Sequence, residues 1–493
     1  MKKKQRNKVL TGLLAAIMAA AMLAGCGQEE NKESNQETTG AVAETETAKE
    51  QSADKEEISL VLAQDLGTDE KSNQVIQAIL EEYTAKTGVE VRLESLPSAD
   101  YQTWLTTQFA ANRGPDVYSG IIYNMTTDYQ NGQLYNFKEL YDSESSYDPG
   151  KKWGEALPEY INERMYITAD DVPGYPTSTS VVRIFCNKDI FAAAGAEIPE
   201  TWAEFMRACE QIKESGITPF AFPNATIDDL SWLWFSNSVC GQIDHEIVAA
   251  LDAGGNGYVE LAEICKGMDE GKIDFDNENL QAAFTLMKEF SQYWTSDYNG
   301  LDRATAQEMF ARGEVAMVQA MSINLEAIDS MIGGAFEYVV IPVPTVTKET
   351  NVNAMGKSVI LGGQPDTIYG INKSLETDEI KLEAAINFVQ YISSPEIQLR
   401  LAEEINRIPL SLSTQLPERL EGFVITEEPL RMPFFTGINE KLRNYFHRSG
   451  QEYLSDAITL EDFTDTINQS YREVLEEIKT ENGWTADNNY GMN

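Results

Sequence analysis

The chain has 493 residues, 42% apolar and 10% aromatic, enough for two large lobes or several domains around a substantial core. Acidic residues outnumber basic ones 79 to 38, a formal net charge of −41. A field of that sign repels phosphate backbones and anionic headgroups and argues against nucleic acid as a partner.

Lys2, Lys3, Lys4, Arg6 and Lys8 precede an apolar run from Val9 to Ala24 that ends in Leu23-Ala24-Gly25-Cys26. A basic start, a short apolar run and small residues at its end make a secretory signal, and the run is shorter than the ~20 residues of a membrane span. L-A-G-C resembles a bacterial lipobox. That resemblance implies a signal peptide over 1–25, lipidation of Cys26 and attachment by lipid alone to the outer face of the bacterial cell membrane. Residues 26–57 follow as an acidic, aromatic-free tether that cannot bury enough surface to fold.

The folded part opens at Ile58–Ala63, a short apolar run that reads as a buried strand. Val75, Ile76, Ile79, Leu80 and Tyr83 then repeat at helical spacing over 72–86, and Val89–Leu93 alternates as a second strand. Strand, helix, strand within 40 residues is a βαβ unit and predicts an α/β fold. Further along, Val181–Phe185 reads as a strand. Thr201 with Glu204 forms a capping box at the start of a helix to Ser215. Residues 277–294, 379–392 and 459–480 read as helices, and Val339–Ile341 as a strand.

His245 and His447 are the only histidines, so multi-histidine metal sites are excluded, and none of the five cysteines sits in a C-x-x-C pair. Gly356-Lys357-Ser358 lacks the upstream glycine of a phosphate loop, because position 351 is Asn351. His245-Glu246 lacks its second histidine, because position 249 is Ala249. Asp170-Asp171 is the most suggestive carboxylate pair and reads as a solvated turn. Asp252, Gly254, Asn256, Gly257, Tyr258, Glu260 and Glu263 occupy the ligand positions of an EF-hand-like loop, although position 3 is glycine. Asp252, Asn256 and Glu263 are therefore the weak calcium candidates. No cofactor and no other metal is expected. Cys186, Cys209, Cys240 and Cys265 read as buried free thiols.

Three segments carry a family resemblance. They are Gly114-Pro115-Asp116-Val117; then Gly174-Tyr175-Pro176 with Arg183 to Phe191, Ala194-Gly195 and Pro199 to Phe205; and finally Phe310 to Met317. The ordered set resembles the family 1 extracellular solute-binding proteins of ABC importers, of the maltose-binding type. The resemblance spans roughly residues 58–480. It implies a periplasmic-binding-protein-like α/β fold, with two lobes hinged around a ligand cleft. One lobe would comprise 58–176 with 345–393 and the other 183–335 with 405–493. Crossovers would lie near 177–183, 336–345 and 393–405. It implies a monomer that captures a carbohydrate and delivers it, uncleaved, to permease subunits driven by a cytoplasmic ATPase.

A sugar cleft needs flat aromatics and side chains with paired donors and acceptors. Gln64 and Asp65 end the first strand at the edge where such clefts form. Tyr123 and Asn124 follow the Gly114–Val117 turn, where the family places ligand contacts. Tyr175, Thr177 and Ser178 sit at the first crossing. Trp232 and Trp234 share a face in a strand and oppose each other in a helix. Relatives often carry tryptophan where this chain has Ile323 and Gln364, while Asn324 matches a frequent asparagine. Either the ligand differs from that of typical relatives, or Trp232, Trp234, Trp294, Phe434 or Phe435 supplies the missing ring. Two other readings stay open: an extracellular carbohydrate-cleaving enzyme, and the same fold serving a non-sugar solute or a sensor.

Overall fold

The computed structural model describes residues 58–66, 70–435 and 438–492. The signal, Cys26 and the tether lie outside the described residues. Among the described residues no helix is long and apolar enough to cross a membrane.

The strands run β1 Ser59–Asp65, β2 Glu90–Leu96, β3 Val117–Gly120, β4 Glu144–Ser145, β5 Asp148–Lys152, β6 Tyr175–Asn187, β7 Thr218–Ala221, β8 Val315–Met321, β9 Tyr338–Ile341, β10 Gly362–Ile371 and β11 Ile408–Pro409. β4 and β5 form a separate hairpin. The others make one sheet in the order β2-β1-β3-β10-β6-β8-β7, with β9 and β11 also paired to β6.

Periodicity explains the first βαβ unit. The helix Glu70–Thr87 buries Val75, Ile76, Ile79, Leu80 and Tyr83 on one face, and Gly88 ends it with φ 78°. Thr201 accepts from the Glu204 amide while the Glu204 carboxylate accepts from the Thr201 amide, so the capping box starts the helix Trp202–Glu214. The strand expected at Val181–Phe185 is the centre of a longer one. β6 is buried along its whole length, because it is the shared element of two lobes.

Each lobe has its own core. Leu62, Ile79, Tyr83, Val117, Tyr175, Ile368, Phe388 and Leu401 belong to the first. Val182, Ile184, Phe205, Trp232, Phe290, Leu361, Phe435 and Phe446 belong to the second. Alternate residues of β6, Val181 and Phe185, pack into a third cluster with Phe310, Ile408 and Phe423. These memberships differ from the expected crossovers. Val343, Val346 and Leu361 pack in the second core, so the chain returns to the first along β10 and not at 336–345. The helix Pro395–Ile405 sends Ile397 and Leu401 into the first core, and the chain leaves it after β11.

A candidate ligand cleft between the lobes

Strand register builds the cleft. β8 runs antiparallel to β6 with Met317 opposite Cys186 and Met321 opposite Val182, so its carboxyl end points at the middle of β6. β7 runs parallel to β8. On the other side β10 is antiparallel to β6, with Gly362 opposite Val181 and Tyr369 opposite Tyr175. β3 is antiparallel to β10, with Gly120 opposite Ile368, and β1 and β2 follow β3 in parallel. The carboxyl ends of both parallel sets therefore converge on the shared middle of β6 and β10. Carboxyl ends of strands are where α/β sheets bind ligands.

The middle of β6 and β10 is polar. Ser178 and Ser180 donate to the two oxygens of Asp366 at 2.8 and 2.5 Å, and the Arg407 guanidinium stands 3.6 Å from the same carboxylate. Thr179 donates to the Gln364 carbonyl at 2.8 Å and Thr177 to the Thr367 carbonyl at 3.2 Å. Gln364 itself is half-buried. Gly362, at φ 78°, lets the strands approach: a Cβ there would lie 2.4 Å from the Ser180 carbonyl. Gln64, at the end of β1, donates to the Tyr369 hydroxyl at 2.9 Å. Its Oε1 is buried and accepts nothing. Burial pushes the Tyr369 hydroxyl well up, and Arg407 opposes that shift.

The rims follow the strand ends. Asp65 is exposed at the end of β1. After β3, Ile121 and Tyr123 are exposed and Asn124 donates to Gln102 at 3.0 Å. After β8, Ile323 is exposed, and the Asn324 side-chain Oδ1 accepts from the Met321 amide at 3.1 Å to hold the turn. Beyond β7, Trp234 is half-buried with the Arg303 guanidinium 5.5 Å over its ring. Arg303 is anchored by the Asp228 carbonyl, and its amide by Asp229 at 2.9 Å.

Several expected ligand side chains pack inward instead. Residues 231–243 form a helix, so the two tryptophans diverge. Trp232 is fully buried, parallel to Phe446 at 5.3 Å. Phe435 is buried and stacked on Phe446 at 3.6 Å. Tyr175 is buried and stacked on Trp153 at 4.0 Å. Trp294 stacks on Phe222 at 3.6 Å, and Phe434 is also buried. Tyr175 is thus part of the first core, and Trp232, Trp294, Phe434 and Phe435 are part of the second.

The calcium expectation has a different physical answer. The Asp252 carboxylate accepts from the amides of Gly255, Asn256 and Gly257 at 2.6, 3.2 and 2.8 Å. Glu263 accepts from Gly254 and Glu260 at 2.9 and 2.8 Å, and Asn256 from Tyr258 at 2.9 Å. The acidic side chains cap a glycine-rich turn, and no metal-holding group of three occurs among the described residues. Asp171 similarly accepts from Tyr129 and Thr168, at 2.5 and 2.6 Å. Cys186, Cys209, Cys240 and Cys265 are buried free thiols.

Asp366, Tyr369, Arg407 and Arg303 were not singled out from the sequence. Asp366 lies two residues past Gln364, but only the irregular register of β10 turns it toward Ser178 and Ser180.

Comparison with known proteins agrees with this architecture. The sequence profile of bacterial extracellular solute-binding proteins matches residues 78–426. A multiple sugar-binding protein of Streptococcus mutans is 33% identical over 138 residues, 27% of this chain and 29% of that protein. The chain thus spans under a third of that relative's length. Among solved structures, a probable secreted solute-binding lipoprotein from Streptomyces coelicolor superposes with a TM-score of 0.67 at 14% identity, covering 84% of this chain and 98% of the other. The solute-binding protein RafE in complex with raffinose gives 0.60 at 17% identity, covering 85% and 100%. With the profile covering most of the folded residues, the chain belongs to the bacterial extracellular solute-binding protein family.

Proposed function

We propose that the protein is the lipid-anchored receptor of an ABC importer, which captures a sugar or oligosaccharide between its lobes and delivers it to the permease. The observation that carries this reading is Gln64. Its buried Oε1 lacks a donor, beside a Tyr369 hydroxyl that already accepts from Gln64 and retains its own proton to give. One acceptor and one donor side by side match a ligand hydroxyl, which is both. An unpaired buried acceptor is costly, so a ligand that supplies the missing donor gains affinity there. Asp366 and Arg407 extend the same chemistry, and exposed Tyr123 offers a flat face for a sugar ring. The similar protein from Streptococcus mutans is described as sugar-binding and RafE is seen in complex with raffinose, which supports the same ligand class.

In this reading β6 and β10 form the hinge, and closure buries the ligand between the rims. The lipidated Cys26 and the tether hold a monomer at the outer membrane face beside its permease. The protein does not cleave its ligand. A calorimetric and thermal-shift screen against mono- and oligosaccharides tests this. One sugar series should bind one-to-one, be recovered intact, and stabilise by about 2.7 kcal/mol at a hundredfold excess over Kd. Gln64→Leu should weaken that binding at least tenfold. Failure of every sugar, or release of cleaved products, would overturn the reading.

A further inference from the structure

Two isoleucines on opposite rims bear on which sugar is taken. Ile121 is 45% exposed, Tyr123 46% and Ile323 45%, while Ile122 between the first two is buried. Their places are set by register. Ala63 of β1 pairs with Tyr118 of β3, so Ile121 follows the residue level with Asp65, next to Gln64. Met321 pairs with Val182, and the Ser322 hydroxyl accepts from the Val181 amide at 3.3 Å. Ile323 therefore stands beside the stretch of β6 whose Ser180 holds Asp366. The rims come together, because Lys71 on one meets Glu326 on the other at 2.5 Å. A molecule seated on Gln64 and Asp366 is thus flanked by Ile121 on one side and Ile323 on the other.

An aliphatic branched side chain has no flat π face and cannot stack on a sugar ring as an aromatic one does. Its gain comes from removing apolar surface from water, which a bare hydroxyl-covered rim does not offer and a methyl group does. From this we infer that the cleft selects a sugar residue carrying a methyl-bearing substituent, an acetamido group or a 6-deoxy carbon, beside the hydroxyl read by Gln64 and Tyr369. The inference rests on the sugar-binding reading above. It adds the feature that discriminates among sugars.

The test is calorimetry on the full-length chain with matched probes. One arm pairs N-acetylglucosamine oligomers with glucose oligomers of the same linkage. The other pairs 6-deoxy with 6-hydroxy sugars of the same configuration. The methyl-bearing member of at least one arm should bind about fourfold tighter or more, the worth of one buried methyl. The arm that responds names the substituent. Ile323→Ala, on an exposed side chain, should bring the two members within twofold while still binding the hydroxyl member. Equal or tighter binding of the hydroxyl member in both arms would overturn the inference, with the sugar-binding reading intact. So would a preference that survives in both Ile323→Ala and Ile121→Ala. Binding of no sugar at all would overturn both readings together.

Discussion

Lys71 and Glu326 are 255 residues apart and meet at 2.5 Å. Lys71 lies six residues past the end of β1 and Glu326 five past the end of β8, so the pair ties together the two strand-end segments that flank the proposed cleft. Both side chains are about half exposed. Such a pair is worth about 0–1 kcal/mol and is screened by salt. Lys71→Met should weaken ligand binding by up to about fivefold at low ionic strength, through faster release. In 0.5 M salt the difference from wild type should vanish. Stopped-flow dissociation at two salt concentrations checks this, and an unchanged low-salt rate would remove the pair from closure.

A second pair is buried beside β6. Arg183, on β6, meets Glu427 at 2.7 Å with side chains only 1% and 3% exposed. It also donates to the carbonyls of Gly422 and Val424, both at 3.0 Å. One buried guanidinium thus ties the 418–428 segment to the strand that both lobes share. Removing one partner of such a pair leaves a buried charge, at a cost of about 3–5 kcal/mol. Glu427→Leu should lower stability by that amount in urea denaturation. The double variant Arg183→Met with Glu427→Leu should recover part of the loss.

The turn at Asp252 separates capping from metal binding. Three amides donate to Asp252, so Asp252→Ala should cost about 1–2 kcal/mol with no calcium present. Millimolar calcium should leave the wild-type melting temperature unchanged. A calcium-dependent rise that Asp252→Ala abolishes would restore the EF-hand reading.

Local chemistry was legible and long-range partnership was not. The capping box at Thr201, the helix 379–392 and the βαβ opening depend on neighbours in sequence, and each stands where the spacing indicated. Gln64 near the end of β1 followed from the same logic, whereas the choice of Tyr123 and Asn324 rested on the family resemblance. Whether a ring faces ligand or core depends on distant partners. Trp232 and Phe435 meet Phe446, and Tyr175 meets Trp153. None of those contacts leaves a periodic trace. The Asp252 pattern reads two ways for a definite reason: a carboxylate that binds a cation and one that caps amides need the same spacing of glycine and acid. The Asp366 cluster required the bulged register of β10 against β6.

Two buried carboxylates set a pH dependence of opposite sign to ordinary acid unfolding. Burial pushes the Asp128 carboxyl above its usual value, against the Tyr118 hydroxyl that donates to it at 3.0 Å. Burial does the same to Asp244, which accepts from Asn279 at 2.8 Å. A carboxyl with a raised folded pKa contributes most below the unfolded value of about 3.9, and that contribution is lost as pH rises through the folded value. Asp128→Asn keeps an oxygen for Tyr118 and removes the charge. It should be more stable than wild type at pH 7, and the gap should close as pH falls toward 4. Urea denaturation of both proteins across pH 4–7 measures the difference directly, so the surface carboxylates common to both cancel. A gap that stays constant with pH would mean that Asp128 is neutral, or equally solvated folded and unfolded, throughout that range.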